Sequence, residues 1–289
     1  MAEGPMTHPR TAGPSETGAR TWDSFLSAPE LAAVTSAGFD PLGHVLGITV
    51  FTTPYTGAWG CPGAWSALSA GGYPKPSRWV PSYEPLVQAL HTARKRALTR
   101  AVDECRALGG DGVVGVSVDI EPTPLGGLEC TVRGTAVRAR SRIRPHQPFT
   151  SHLGGQDFAR LIHSGWVPTQ LAFGIAFAGR HDDWRTTRRT RWTAPNEEVE
   201  GYTLLVNRVR EEARTRLKRD AAAAGGEGVV VDETELKVEK EECRNGTLGY
   251  AYDFSAEAAF VGTAIARFGR SARPAGPGPL TIMRLDREH

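Results

Sequence analysis

Apolar residues recur at steps of three and four residues along two long stretches of the chain, which is the spacing of one face of an α-helix. The first stretch begins after Ser82, which is placed to cap it, and the glycine pairs Gly109-Gly110 and Gly225-Gly226 follow the two stretches. Each stretch therefore predicts one long amphipathic helix that ends at a glycine pair. The apolar stripe consists of Leu86, Leu90, Ala93, Ala97, Ala101, Cys105 and Leu108 in the first helix, and of Val199, Tyr202, Val206, Val209, Ala213, Leu217, Ala221 and Ala224 in the second.

Segments rich in β-branched residues flank both helices and predict strands. They cover 45–53, 113–120 and 129–140 in the first half, and 171–177, 229–241 and 256–267 in the second. Each half opens with a short predicted helix, which begins at the capping box Ser27 to Glu30 in the first half and covers 156–164 in the second. The predicted fold class is α+β, with two tandem β-α-β-β units, each a small antiparallel sheet with one long helix on one face.

The chain contains the same unit twice. Gly109 to Val114 recurs as Gly225 to Val230, an offset of 116 residues, and Arg133 to Val137 recurs as Val261 to Ile265, an offset of 128. Near the start of each unit an offset of 127 relates Ser24, Leu31, Gly38, Phe39, Pro41 and Gly47 to Ser151, Phe158, Gly165, Trp166, Pro168 and Gly174. The repeat predicts domains at 22–146 and 147–268, with tails at 1–21 and 269–289 that are expected to be disordered.

Length and charge narrow the class of protein. A chain of 289 residues fits two domains of ordinary size, and a net charge of +2 gives no reason to expect a nucleic-acid partner. No apolar run approaches the ~20 residues that cross a bilayer, and the first residues lack the apolar core of a signal peptide. We therefore expect a cytoplasmic protein without membrane insertion. The four cysteines lie far apart, which favours buried free thiols over a zinc ribbon.

The end of the first long helix and the hairpin after it carry a resemblance to a known family. They resemble the YbjQ-like proteins, also called the heavy-metal-binding domain family, in the segments Arg94 to Arg100, Ala107 to Val116 and Glu129 to Val137. A more divergent match recurs in Arg210 to Leu217, Gly225 to Val231 and Gly262 to Ile265, so the resemblance covers both units. It implies dodecin-like units that assemble into homo-oligomeric rings, typically pentamers, and it implies no established activity.

The residues that recur in both units are interpreted as a structural motif. They are Gly109, Gly110, Asp111, Gly112, Gly134 and Thr135 in the first unit and Gly225, Gly226, Glu227, Gly228, Gly262 and Thr263 in the second. The glycine runs follow a helix rather than precede one, so no helix N-terminus points at a phosphate, and we expect a helix end with a tight turn. Because a helix C-terminus does not favour a carboxylate, Asp111 and Glu227 are expected to serve in hydrogen bonding or at an interface. Arg100 and Arg216 also match and are candidates to bridge subunits.

Residues that could bind a metal are sparse. His181, Asp182 and Asp183 form the densest cluster, and the corresponding loop of the first unit offers Cys61 instead. Three consecutive side chains cannot all turn to one ion, so a solvated turn is the favoured interpretation. The sequence predicts no resident cofactor, and a divalent metal held between subunits is the alternative.

A basic and aromatic segment is a candidate for binding. Arg188, Arg189 and Arg191 lie between Trp184 and Trp192, a composition that suits single-stranded nucleic acid or an acidic partner. Glutamates follow at once and are placed to neutralise the arginines. An edge strand or exposed loop with internal ion pairs is therefore favoured, and nucleic acid is not the expected partner.

The loop between the first strand and the first long helix is aromatic. It contains Trp59, Trp65 and Trp79. These rings could line a pocket for a flat ligand. The favoured interpretation is that they bury one another or pack on a neighbouring subunit.

The sequence shows no set of nucleophile, base and orienting group, so an enzyme is not expected. It predicts a non-enzymatic protein that forms homo-oligomers and has a scaffold or binding role, because ring closure covers the edges and the bare face of a small sheet. The alternative is a protein that binds a metal or a small ligand at a site formed between subunits. The sequence does not indicate which other proteins it contacts.

Overall fold

The computed structural model describes residues 23–52, 83–123, 127–142, 144–181, 184–190, 193, 196–243, 251–268 and 283–284. The elements, in chain order, are α1 (Ala28–Ser36), β1 (Phe39–Phe51), α2 (Glu84–Ala107), β2 (Gly112–Pro122), β3 (Leu128–Ala139), β4 (Phe149–Thr150), α3 (Gly155–His163), β5 (Trp166–His181), α4 (Trp184–Arg189), α5 (Glu200–Ala223), β6 (Gly228–Cys243), β7 (Ala251–Arg267) and β8 (Met283–Arg284). We refer to α1 through β3 as unit 1 and to β4 through β7 as unit 2.

The strands form two four-stranded sheets of the same order, β1-β3-β2-β4 and β5-β7-β6-β8. In each sheet the three long strands are antiparallel, and the third strand in sequence lies between the other two. The predicted α+β class with small sheets is confirmed, whereas the dodecin-like detail and the domain limits stay predictions. Phe149 and Thr150, from the segment predicted to open the second domain, pair with β2 of unit 1.

Each long helix lies close against the first strand of its own unit because that strand carries a glycine at the crossing point. A Cβ atom on Gly47 would collide with the carbonyl oxygen of Ala97 in α2, and one on Gly174 would collide with that of Ala213 in α5. The stripe residues beside these crossings are buried, and full burial of a valine or leucine contributes about 1.5–3 kcal/mol to folding. The middle of each predicted stripe thus identifies the face that covers the sheet of its own unit. In the first stripe Leu86 and Leu90 pack against β5 of unit 2 instead, and Leu108 is 46% exposed.

The helix boundaries follow from local sequence. Ser27 and Glu30 form the predicted capping box of α1, and the backbone turns at Gly38, which has a positive φ of 86°. Both long helices end before a glycine in the left-handed region, Gly109 at φ 76° and Gly225 at φ 73°. Glycine adopts this conformation without the steric cost that a Cβ imposes.

Several predictions of local structure differ from the structure. Every long strand except β3 is longer than predicted, and β1 begins at Phe39 because a register shift between Pro41 and Gly43 lets the pairing continue past the proline. The segment predicted as an edge strand or loop contains the short helix α4. Its six residues are too few to show a helical period in the sequence. Met283–Arg284 pair with β6 although they lie in a tail predicted to be disordered.

Candidate functional site

Helix α2 packs against both units. One side lies on the sheet of unit 1, where Ala97 and Ala101 face Gly47. Another side, with Leu86, Val87 and Leu90, packs against Ile175 of β5. The helix of unit 1 therefore also covers part of the sheet of unit 2.

The face of β5 under α2 is the one that points away from α5. Successive side chains of a strand alternate between faces. Since Gly174 faces α5, Phe173 and Ile175 face the opposite way, and they are 1% and 2% exposed beneath α2. The ring of Phe177, two residues further on, stacks on Tyr83 with a centroid distance of 5.8 Å. This apolar row is the centre of the contact between the units.

The same apolar row exists on β1, where the described chain leaves it uncovered. The offset of 127 relates Leu46, Ile48 and Val50 to Phe173, Ile175 and Phe177. Leu46, Ile48 and Val50 are 36%, 37% and 61% exposed. We call these three residues the β1 stripe. Exposed rows of large aliphatic side chains mark surfaces that associate with other molecules.

Charged side chains join the two units at the edge of the α2 contact. Arg216 of α5 donates to Glu84 at the start of α2 at 2.6 Å. Lys95 Nζ of α2 lies 2.9 Å from Asp220 Oδ2 of α5, and His91 Nε2 lies 3.6 Å from Asp220 Oδ1. These pairs fix the position of one helix along the other.

Two of these carboxyl groups have lowered pKa values. Hydrogen bonds from Arg216 hold the pKa of Glu84 below its ordinary value. Burial by itself would raise the pKa of Asp220, but the hydrogen bonds from His91 and Lys95 and the charge of Lys95 outweigh it and lower that pKa. Both groups are therefore ionised at neutral pH, which favours the charge pairs between the helices.

A cleft of 430 Å³ opens where α2, β5 and α5 meet. Val87, Phe173 and Ile175 contribute apolar wall, and Gln88, His91 and Arg219 contribute polar groups. The volume lies within the range of small-molecule sites. The lining also includes the carboxylates of Glu84 and Asp220, so it offers apolar surface together with donors and acceptors, which suits a small, partly apolar ligand.

A hydroxyl pair fixes the start of each unit to its own sheet. Ser24 Oγ lies 3.0 Å from Thr135 Oγ1 in unit 1, and Ser151 Oγ lies 3.2 Å from Thr263 Oγ1 in unit 2. In unit 2 the same segment also extends the sheet of unit 1, because the Ser151 amide donates to Val113 O at 2.9 Å. The repeated threonine thus positions the segment through which unit 2 contacts unit 1.

The repeated carboxylates bond to equivalent backbone amides. Asp111 is buried and its Oδ2 accepts a hydrogen bond from Ala139 N at 2.9 Å and another from Arg144 Nη1. Glu227 Oε1 accepts one from Arg267 N at 3.3 Å. Gly110 lies so close to Cys105 that a Cβ there would collide with its sulfur. These contacts hold the helix end against the sheet.

The remaining glycines of the motif lie in the strands and at the second helix end. Gly112 and Gly228 begin β2 and β6, and Gly134 and Gly262 lie in β3 and β7 beside valines of the neighbouring strand. Gly226 follows Gly225 and its amide donates to Ala221 O at 3.0 Å. A Cβ atom on Gly112, Gly134, Gly226 or Gly262 would collide with a neighbouring side chain or backbone atom.

Most of the predicted metal ligands lie outside the described residues. Within the described residues no group of three His, Cys, Asp or Glu side chains is placed to hold a metal ion. His181 is the last residue of β5, and Asp182, Asp183 and Cys61 lie outside the described residues. The metal hypothesis therefore gains no donor set from this structure.

The basic and aromatic candidates are only partly described. Arg188 and Arg189 are exposed in the last turn of α4, and Arg189 lies 3.5 Å from Glu197 and 3.6 Å from Glu200. These ion pairs are the internal neutralisation that the sequence indicated. Arg191, Trp59, Trp65 and Trp79 lie outside the described residues.

Cys105 and Cys130 are free, buried thiols in the core of unit 1. Burial raises the pKa of each to about 11. A protonated, enclosed thiol is a poor nucleophile and a poor metal ligand. The structural interpretation of these two cysteines is favoured.

Sequence reasoning missed the residues at the centre of the contact between the units. The β1 stripe and its buried equivalents have the same alternating pattern, so the pattern alone does not tell which row is covered. The signal that could have found them is the repeat itself, since the offsets align Glu84 with Glu200 and Arg216 with Arg100. None of the helices in the described segments is both long and apolar enough to cross a membrane.

Two comparisons with known proteins bear on the family. A profile of the YbjQ family, described as "Putative heavy-metal-binding", matches residues 81–140, which include α2, β2 and β3. The chain is also 31% identical over 223 residues to the Encapsulin nanocompartment protein Rv1762c of Mycobacterium tuberculosis. That alignment covers 73% of this chain and 76% of the relative.

Proposed function

The chain belongs to the YbjQ-like family, and from this premise we propose that it is a non-enzymatic cytoplasmic protein that self-associates into homo-oligomers with a scaffold role. The surface through which it associates is the β1 stripe. A second copy of the chain is the partner. The homo-oligomer predicted from the sequence would thus form through this surface.

The proposed self-association rests on the exposure of the β1 stripe. Ile48 and Ile175 occupy the same position in the two units, yet Ile48 is exposed and Ile175 is buried under α2. A row of three aliphatic side chains beside a charged helix is a surface that water solvates poorly. Covering it with the helix of another copy would reproduce a contact that the chain already makes internally.

The relative from Mycobacterium tuberculosis supports an assembly role. Its name assigns it to an encapsulin nanocompartment. We propose that this chain likewise works as a component of a larger protein assembly. No cofactor is part of this proposal.

The cleft between the units favours a second candidate function, the binding of a small ligand. Its apolar and polar lining comes from both units, so an equivalent cleft would form wherever two chains repeat the contact between units. Under this candidate the purified protein carries or takes up a ligand at the unit contact. Residues from both units would hold it, as the sequence-based alternative predicts.

Native mass spectrometry of the full-length protein tests the proposed function. We expect a discrete oligomer for the wild type and a shift toward monomer for Val50→Asp, because a charge in the stripe must lose its water when the stripe is covered. Phe268→Asp is the control, since Phe268 is 74% exposed at the end of β7, away from the β1 stripe. A monomeric wild type would overturn the proposal, and equal behaviour of the two variants would exclude the β1 stripe. Extra mass in whole-number ratio to the chain would favour the ligand-binding candidate.

A further inference from the structure

We propose that the chains associate head to tail, with α5 of one copy on the β1 stripe of the next, and that Glu200 of the first copy pairs with Arg100 of the second. This inference rests on the proposed function, since it specifies the partner surface and the register of the same contact. The intermolecular contact repeats the internal one between α2 and β5. The partner is a second copy of this chain.

The internal contact runs in one direction only. Unit 1 contributes the covering helix and unit 2 contributes the covered sheet face. The complementary surfaces in the described chain, the outer side of α5 and the face of β1, are left for another molecule. On α5, Tyr202 and Val206 occupy the positions of Leu86 and Leu90. Leu204, at the position of Gln88, is 51% exposed, so the helix as well as the sheet presents apolar surface. A contact between two different surfaces of the same chain is heterologous and propagates from copy to copy.

The charge pair at the internal contact has an exact counterpart in sequence on the two free surfaces. The offset of 116 relates Glu84 to Glu200 and Arg216 to Arg100. Within the chain, the residue at the start of the covering helix pairs with an arginine on the helix of the covered unit. Between chains, Glu200 starts the covering helix α5, and Arg100 lies on α2 of the covered unit.

Both members of the new pair are placed to meet. Arg100 is exposed, and its Nη1 donates to Ile48 O, so the guanidinium already lies at the edge of the β1 stripe. Glu200 is exposed at the start of α5, where Arg189 is 3.6 Å away. A second pair of opposite charges is repeated in the same way. The charge of Arg94 in α2 acts on Glu257 of β7, and the equivalent residues are Arg210 of α5 and Glu129 of β3.

One ion pair of the internal contact has no oppositely charged equivalent on the two outer surfaces. This difference weakens the proposed intermolecular contact. Lys95 and Asp220 attract each other within the chain, but their equivalents are Glu211 and Glu104. Glu104 Oε2 accepts a hydrogen bond from Leu46 N at 2.7 Å, just as Asp220 accepts one from Phe173 N at 2.9 Å. Two carboxylates would therefore face each other between chains. The intermolecular contact is weaker than the internal one for this reason.

The strand pairing of the internal contact is not repeated between chains. Phe149 and Thr150 of unit 2 lie on the edge of β2, at Gly112 and Val113. The equivalent edge of β6, at Gly228 and Val229, is already paired with Met283 and Arg284. The helix-on-sheet contact and its charges are thus the basis of the register.

Charge exchange tests the register. We expect Glu200→Arg and Arg100→Glu each to weaken self-association of the full chain about tenfold or more, since like charges then face each other. The double variant, and an equimolar mixture of the two single variants, should restore association, because each mixed contact again joins opposite charges. Sedimentation velocity over a range of protein concentrations measures the effect. Glu198→Arg and Arg96→Glu, at exposed positions of the same segments, are the matched controls and should keep wild-type association.

A gain-of-function variant tests the same register independently of any loss of folding. Glu211→Lys replaces the facing carboxylates by a pair like Lys95 and Asp220, and we expect self-association to tighten at least threefold. A wild type that associates but is insensitive to all of these changes, without rescue by the double variant, would overturn the head-to-tail register and leave the proposed function standing. A monomeric wild type would overturn both.

Discussion

Asp220 in α5 lies 2.9 Å from the ammonium nitrogen of Lys95 in α2, so one ion pair joins the long helices of the two units. The same carboxylate accepts the amide of Phe173, the first residue of the covered row on β5. One side chain thus sets the spacing between both helices and the strand beneath them. The equivalent carboxylate, Glu104, accepts the amide of Leu46 in unit 1, and among the described residues it forms no ion pair with a lysine.

Asp220→Asn is expected to destabilise the protein by about 1–3 kcal/mol at pH 7, because the half-buried Lys95 loses its charged partner. The pKa of Asp220 is lowered in the folded state, so its contribution is present above the ordinary pKa near ~4 and is lost as pH falls through the folded value. Urea unfolding at several pH values measures this. The difference between wild type and variant should shrink below about pH 4. Asp103→Asn, which breaks an exposed pair with Arg106, should cost less than about 1 kcal/mol.

Glu257→Gln is expected to stabilise the protein at pH 7, whereas Asp220→Asn is expected to destabilise it. Burial raises the pKa of Glu257 although Lys237 and Arg94 act against it, so the folded protein favours the neutral carboxyl. The cost of ionising it is present above the folded pKa and disappears as pH falls below the unfolded value near ~4. The variant should therefore be more stable than wild type at pH 7 and not at pH 3.5. Glu121→Gln, at an exposed position of β2, should change stability little, and a loss of stability in Glu257→Gln at pH 7 would contradict the prediction.

Gly47→Ala and Gly174→Ala are expected to destabilise their units strongly. A methyl group at either position meets the carbonyl oxygen of the helix above, so the helix must move away from the sheet. Overpacking of this kind costs about 1–3 kcal/mol. Thermal unfolding measures the loss, and near-native stability of both variants would contradict the close packing. Gly165→Ala is the control that measures backbone strain without overpacking. Nothing lies within 4 Å of that position, and only its positive φ of 80° opposes the change.

Cys105 and Cys130 are expected to resist thiol reagents in the folded protein. Burial raises the pKa of each thiol to about 11, so at pH 8 the reactive thiolate is scarce as well as enclosed. In a Cys61→Ser, Cys243→Ser background, labelling by a chromogenic disulfide should be slow in buffer and complete in denaturant. Fast labelling without denaturant would show that the core of unit 1 opens readily.

The sequence was sufficient for the elements and for the class of fold, and it was insufficient for the contact between the units. Helix periodicity and the glycine stops located α2 and α5, because these features act within one element. The burial of Ile175 and the exposure of Ile48 depend on which helix lies above each strand, which is a property of tertiary packing. The pairing of Glu84 with Arg216 was missed for the same reason, although Arg216 had been noted as a candidate bridge. Helix α4 was missed because one tryptophan followed by five polar residues is too short a segment to show a helical period.

The one-directional packing of unit 1 on unit 2 has an arithmetic consequence for any closed assembly. If every unit uses its helix once and its sheet face once, each chain adds two units to the circuit. The number of units in a closed ring is then always even. A ring of five units, as the family resemblance implies for chains with one unit, cannot close from whole chains of this protein, whereas a ring of five chains would contain ten units. An assembly of five chains therefore fits either a circuit of ten units or a circuit of five units that leaves the other five outside it, and the two differ in ring diameter rather than in the number of chains.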